Sequence, residues 1–151
     1  MSDFWENKNV SVTGGNGFLG KHLIRLLSQK NPKKISIVDH KDYDLVNNND
    51  VIRFYKDQKP NLVFHLAATV GGIDVNQRNP GKFFYDNSMM NLQVIHNAYV
   101  SNVEKIISIG TVSVYPENSP VPFLEENIWN GYPESTNAPY GIAKRIMHTH
   151  S

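Results

Sequence analysis

The segment V-T-G-G-N-G-F-L-G, residues 12–20, sets Gly14, Gly17 and Gly20 three residues apart, between a β-forming run and an amphipathic run. That spacing dictates a sharp strand-to-helix turn. Gly14 lets the chain reverse tightly. Gly17 removes a Cβ where a pyrophosphate must approach the backbone, and Gly20 lets the helix come close to its surroundings. A helix opening there presents unpaired N–H groups and the positive end of its dipole to an anion. A glycine triplet alone is a weak sign, but directly after a strand and directly before a helix it is a strong one.

The rest of the chain repeats the alternation. KNVSVT reads as a strand with Val10 and Val12 on one face, and FLGKHLIRLLSQK as a helix with Leu19, Leu23, Leu26 and Leu27 at helical spacing, stopped at Asn31-Pro32. KKISIVDH is a second strand, VIRFYKDQ a helix, LVFHLAA a third buried strand, and residues 70–80 a glycine-containing loop. Lys82 to Ser101 reads as one long helix with Phe83, Met90, Val94 and Ala98 inward, EKIISIG as another strand, residues 116–139 mainly as a loop, and YGIAKRIMHTHS as the start of a helix. Strands alternating with helices predict an α/β fold of the Rossmann type, a parallel sheet with helices on both faces, over one domain, residues 1–151.

Composition narrows the setting. A formal net charge of +1 gives no electrostatic ground for nucleic acid or an anionic membrane as partner. No apolar run approaches the roughly 20 residues of a span, and the start, MSDFWENKN, is polar and unlike a leader. The absence of cysteine excludes disulfides and thiolate metal sites and fits a cytoplasmic setting. His148 and His150 stand two apart on a helix and point to different faces, so no metal site is expected.

Several side chains fall where ligands bind in such sheets. Asp39 ends the second strand, where a carboxylate accepts hydrogen bonds from ribose hydroxyls and favours NAD. Lys41 follows at once, and a cation there can instead receive a 2′-phosphate, so NAD(H) and NADP(H) both stay open. Asp44 can meet an adenine amino group while Leu45 lines its pocket, and Leu66, Ala67 and Ala68 would let a cofactor lie against the backbone. His65 reads as a packed, hydrogen-bonded histidine. Tyr140 and Lys144, four apart on a helix, share a face. A lysine there lowers the tyrosine pKa and lets the phenol exchange a proton with a sugar hydroxyl or carbonyl. Thr111, just beyond a parallel strand, can hydrogen-bond the same reacting oxygen.

The loop TGGNGFLG, HLAA, the Thr111 hydroxyl and YGIAK together resemble the extended short-chain dehydrogenase/reductase family. HKDYDL, the run from Val70-Gly71-Gly72-Ile73 to Asn87, and VYPENSPVPFLEENIWNGYPESTNAPYGIAKR are similar to GDP-L-fucose synthases within it. The resemblance covers nearly the whole chain but only the first half of such an enzyme, so the sugar-binding domain and the family's catalytic histidine are expected to be absent. It implies NADPH-dependent conversion of a GDP-linked 4-keto-6-deoxy sugar by proton exchange at C3 and C5 and hydride delivery to C4, and it allows a homodimer. Tyr140 matches the general acid and Lys144 the lysine that lowers its pKa and holds the nicotinamide ribose, while Thr111 takes the usual serine position. The implied cofactor contacts fall on Gly14, Asn16, Gly17, Phe18, Leu19, Gly20, Asp39, Lys41, Asp44, Leu45, Leu66, Ala67, Ala68 and Asn87, with Tyr140 and Lys144.

Ser113 departs from the family, which carries a cysteine there for epimerisation. A thiol titrates near 8.5 and an unactivated serine hydroxyl far higher, so the reductase half of the reaction is expected to be stronger than the epimerase half. Another nucleotide-sugar epimerase and a non-catalytic dinucleotide-binding module are the alternatives. A 4,6-dehydratase is disfavoured, because those enzymes carry an acidic residue where this chain has Val112.

Overall fold

Strand β1 (Asn9–Thr13) is the centre from which the fold is built. Val10, Val12 and Thr13 are fully buried and Ser11 nearly so, as expected of a strand covered on both faces. The structure, a computed structural model, describes residues 4–151, the Ile73 side chain excepted; residues 1–3 of the polar start lie outside the described residues. The chain divides into two compact units, Met1–Ala67 with Gln93–Ile109, and Ala68–Leu92 with Gly110–Ser151.

In the first unit β1 is flanked by β2 (Lys34–Val38) and β3 (Leu62–His65), and β4 (Lys105–Ser108) completes a parallel sheet of order β2-β1-β3-β4. Thr13 is in register with both Val38 and His65, and His65 with Ser108, so the four strands end in line. In such a sheet ligands bind beyond that carboxyl edge. Helix α1 (Phe18–Ser28) covers the sheet with Leu27, and Leu23 and Ile24 join the cluster around Val10, Val12 and Leu62. Leu19 and Leu26, expected inward, are 49% and 54% exposed. Leu23 and Leu27 form the inward i, i+4 stripe, and Leu26 lies about 80° round the helix from its centre. Helix α2 (Asn48–Gln58) starts at Asn47, whose side chain accepts from the Asn49 N–H at 2.9 Å, and ends at Lys59 in the left-handed region (φ 44°). Its Tyr55 donates to the Val94 carbonyl at 2.8 Å.

The third strand ends at His65 rather than running through HLAA. The Ala67 N–H turns instead to the Thr13 hydroxyl at 3.1 Å, and the Leu66 N–H is shared between that hydroxyl, at 3.1 Å, and the Thr13 carbonyl, at 3.3 Å.

The second unit holds what the hydrophobic pattern showed least well. The expected loop at 70–80 contains α3 (Ile73–Arg78), a short helix begun at Gly72 and steadied by Asn76, whose amide donates to the Gly71 carbonyl at 3.2 Å. Helix α4 (Pro80–Val100) starts in this unit and runs on into the first; Phe83, Met90, Val94 and Ala98 are buried as expected. Residues 112–114, just beyond the expected strand EKIISIG, form a 3-10 turn. The long loop carries a second such turn, Glu125–Trp129, a bridge from Pro116 to Pro133, and Tyr115 stacked on Phe123 at 4.5 Å. Helix α5 (Ala138–His150) has Pro139 in its first turn, where the missing N–H has no partner to lose. Among the described residues no helix is long and apolar enough to cross a membrane.

Candidate functional site

In the first unit the glycine turn is shaped by contacts between backbone atoms. Gly14 has φ +67°, and a Cβ on it would meet the Ala67 nitrogen at 3.0 Å. A Cβ on Gly20 would sit 2.3 Å from the Gly14 oxygen. Gly17 is the N-cap of α1 and brings no side chain to the helix end, and the first turn carries no acidic residue. The orphan N–H groups of that turn are therefore left for an anion, which fits a pyrophosphate. Asn16 is exposed, and Phe18 and Leu19 stand out from the same turn at 83% and 49% exposure.

Asp39 follows β2 directly. It accepts from the Lys41 N–H at 3.0 Å and from the Asn16 side-chain amide. These bonds, the Lys41 one foremost, hold its carboxyl below the usual carboxylate range. The Lys41 side chain is exposed. Asp44 is engaged with its own loop, accepting from the Val46 N–H at 3.0 Å, and Leu45 is a buried core residue.

His65 is fully buried, with Nδ1 2.8 Å from the Thr13 hydroxyl oxygen. That oxygen already accepts from Leu66 and Ala67. Thr13 thus fixes the backbone of Leu66 and Ala67, two of the expected cofactor contacts. The motif reading missed Thr13; its position just before Gly14, in register with His65, is the signal that could have found it.

In the second unit Ala68 opens the segment that Asn87 holds. The Asn87 side chain accepts from the Thr69 N–H at 3.0 Å and donates to the Thr69 and Phe83 carbonyls at 2.9 and 2.8 Å. Its amide is engaged in placing this loop.

The hydroxyl turn and α5 make up the rest. Thr111 caps its own 3-10 turn: its hydroxyl accepts from the Ser113 N–H at 3.2 Å and lies 3.4 Å from the Ser113 hydroxyl. Helix α5 meets this turn closely, since a Cβ on Gly141 would stand 2.3 Å from the Ser113 oxygen. Arg145 Nε donates to the Val114 carbonyl at 2.7 Å. Sequence reading passed over Gly141 and Arg145, although they repeat the i, i+4 spacing of Tyr140 and Lys144 one residue later.

Lys144 is 2% exposed, with its ammonium nitrogen 6.0 Å from the centre of the Tyr140 ring and 3.9 Å from Met147 Sδ. Burial pulls its pKa from 10.5 to about 8, and burial pushes the Tyr140 phenol up. The expected lowering of the tyrosine pKa is therefore corrected. The phenol is desolvated by its surroundings, and the lysine beside it is itself disfavoured as a cation.

A surface cleft of about 410 Å³ opens beside the turn, lined in part by Thr111, Tyr115, Glu125, Trp129 and His148. Among the described residues no group of three or more His, Cys, Asp or Glu is placed to hold a metal ion.

The model of the NAD dependent epimerase/dehydratase family matches residues 10–150. The chain is similar to a GDP-L-fucose synthase of Sinorhizobium fredii, 35% identical over 92% of this chain and 44% of that protein. Among solved structures it is similar to a GDP-D-glycero-L-gluco-heptose synthase from Campylobacter jejuni determined in the presence of NADPH, with 32% identity, a TM-score of 0.89, and 96% of this chain and 42% of that one covered. A GDP-mannoheptose C4 reductase from the same organism, with NADP bound, gives 32% identity and a TM-score of 0.87 over 94% of this chain and 45% of that one. The chain spans under half the length of the curated relatives it matches.

Proposed function

The chain belongs to the NAD dependent epimerase/dehydratase family, and from that footing we propose that it serves the reduction of a GDP-linked 4-keto sugar with NADP(H). The observation that carries the reading is Lys144. A lysine 2% exposed on a helix is costly to keep charged, and this one stands a single helical turn from a half-buried tyrosine. In a nicotinamide enzyme that pair has a use. The cofactor, when bound, supplies the hydride.

The residues of this chain do the rest. Gly14, Gly17 and Gly20 leave room for a pyrophosphate, and the uncapped start of α1 neutralises it. Asp39 and Lys41 stand at the strand end where a ribose binds, Asp39 held as a carboxylate and Lys41 offering a cation to a 2′-phosphate. Tyr140 donates a proton to the ketone oxygen as that carbon takes the hydride, and Thr111 hydrogen-bonds the same oxygen. Lys144 steadies the phenolate left behind. Ser113 stands where epimerisation calls for an acidic thiol, so reduction at C4 outpaces proton exchange at C3 and C5. The C4 reductase among the similar structures favours this order of the two activities.

The test begins with fluorescence titration of NADPH and NADH, followed by GDP-4-keto-6-deoxy-D-mannose as substrate. We expect NADPH binding, ketone-dependent NADPH oxidation, and slow deuterium uptake at C3 and C5 in D₂O. NADPH binding without oxidation by any GDP-4-keto sugar leaves a dinucleotide-binding module and removes the enzyme reading. Rapid deuterium uptake overturns the role given to Ser113.

A further inference from the structure

Tyr140 and Lys144 occupy one face of α5, and a second set of residues occupies the face beside it. Gly141, Arg145 and His148 follow the i, i+4, i+7 spacing of a single stripe. Each meets the hydroxyl turn or the residue that starts it. Gly141 faces the Ser113 carbonyl so closely that a Cβ would stand 2.3 Å from its oxygen. Arg145 Nε donates to the next carbonyl, Val114, at 2.7 Å. The His148 ring is 3.2 Å from the point where a Cβ on Gly110 would lie.

Val114 is 2% exposed, and a carbonyl in such surroundings needs a donor. A charged donor gives the stronger bond. The Arg145 guanidinium also lies over the Trp129 ring, 5.7 Å from its centre, which ties the Glu125–Trp129 turn to the same residue.

We infer that Arg145, with Gly141 beside it, is a positioning residue that locks the Thr111–Ser113 hydroxyls in register with the Tyr140–Lys144 face of α5. The inference rests on the proposed function for its chemical meaning, but the clamp is a statement about geometry and can be tested separately. A slip of α5 by one residue would exchange the face that handles protons for the face that grips the turn. Arg145 uses one N–H in the bond it makes, so a lysine can replace it in part, whereas a glutamine loses the charge and falls short of the carbonyl.

Amide hydrogen exchange of the whole chain, read residue by residue by NMR, is the decisive measurement. Arg145→Gln is expected to speed exchange at Ser113, Val114 and Tyr115 by about tenfold, in keeping with a charged hydrogen bond, and to leave β1 and β3 unchanged. Arg145→Lys should restore most of the protection. Gly141→Ala should loosen the same three amides by pushing the Ser113 carbonyl away. Ketone reduction, where present, should fall in kcat with the KM for NADPH held.

Unchanged exchange at the turn in Arg145→Gln overturns the inference, as does an equal rise throughout the chain, which is the mark of a general stability role. Should Arg145→Gln not fold, Gly141→Ala carries the same readout: unchanged exchange at Ser113, Val114 and Tyr115 in that variant overturns the inference. A wild-type chain that reduces no GDP-4-keto sugar defeats the proposed function, while the exchange pattern still decides the clamp.

Discussion

Two chain reversals, the glycine turn at residues 14–20 and the hydroxyl turn at residues 111–115, are built by opposite means. The first is backbone against backbone. Gly14 lies at φ +67°, and a Cβ on Gly20 would be 2.3 Å from the Gly14 oxygen. The second is held by side chains, with Thr111 capping Ser113 and Arg145 gripping Val114. Where backbones touch, only one residue type fits, and the requirement is visible as glycine. Where side chains do the holding, several residue types would serve, and a hydroxyl can hold the turn and face the substrate at once. The comparison therefore separates a region whose residues are fixed by sterics from one whose residues carry more than one role.

The largest expected effect belongs to the second region and leaves the first untouched. On the proposed function, Tyr140→Phe removes the proton donor but keeps the ring and the helix, so ketone reduction should drop by roughly 10²–10⁴-fold. NADPH affinity and thermal midpoint should hold. Loss of NADPH binding in this variant would break the division of labour. In the glycine turn, Gly20→Ala is expected to act on both stability and binding. Its Cβ meets backbone that cannot swing aside, which should cost about 3 kcal/mol in urea unfolding and abolish the NADPH fluorescence response. A stable Gly20→Ala chain that still binds NADPH would show the turn to be more pliant than its contacts indicate.

Lys144 sharpens the comparison through pH. Its folded-state pKa is depressed to about 8 by burial, while the unfolded chain keeps the ordinary value near 10.4. Between those values the unfolded state binds more protons, so stability rises with pH across that window. Below about pH 8 the lysine is charged in both states and the full burial cost, on the order of 3 kcal/mol, is present. Tyr140 acts in the opposite sense: its raised pKa gives stability that is whole below pH 10 and is lost above it. The net expectation is a thermal midpoint that is level up to about pH 8, climbs from there to about pH 10 and then falls. Lys144→Met should raise the midpoint at pH 7, flatten the climb, and remove turnover. A climb that survives in Lys144→Met would place its source elsewhere.

The same contrast governs what could be read without coordinates. The parallel sheet follows from the alternation of β runs and helical stripes, and Phe83, Met90, Val94 and Ala98 of α4 face inward as their spacing demands. The helix α3 escaped notice because six residues behind Gly72, four of them polar, carry too little periodicity to stand out from a loop. The 3-10 turn at 112–114 was hidden because I-S-I-G-T-V-S-V continues the strand-like alternation; only the Thr111–Ser113 bond shows that the chain has left the sheet. Tyr140 and Lys144 were visible by spacing, yet the direction of the tyrosine shift was not. Burial is a property of the elements that fold around a residue, and it sets the direction for Tyr140. Thr13 and Arg145 were missed for a related reason. Each acts on a carbonyl or N–H remote in sequence, which no local motif records.

The smallest effect tests the double duty of Thr111 directly. Thr111→Val keeps the shape but removes the acceptor of the Ser113 N–H, and should cost about 1 kcal/mol, typical of a lost cap. Reduction of the ketone should fall as well, which on its own does not separate a loosened turn from a missing hydroxyl. Thr111→Asn does separate them. Asparagine caps as well as threonine or better, so the thermal midpoint should return to the wild-type value, and exchange at Ser113 should slow again. Its amide is bulkier and differently placed than a hydroxyl, so turnover should stay low. Recovery of turnover together with stability would mean that the hydroxyl serves only as a cap, and that the proton chemistry of this region rests on Tyr140 and Lys144 alone.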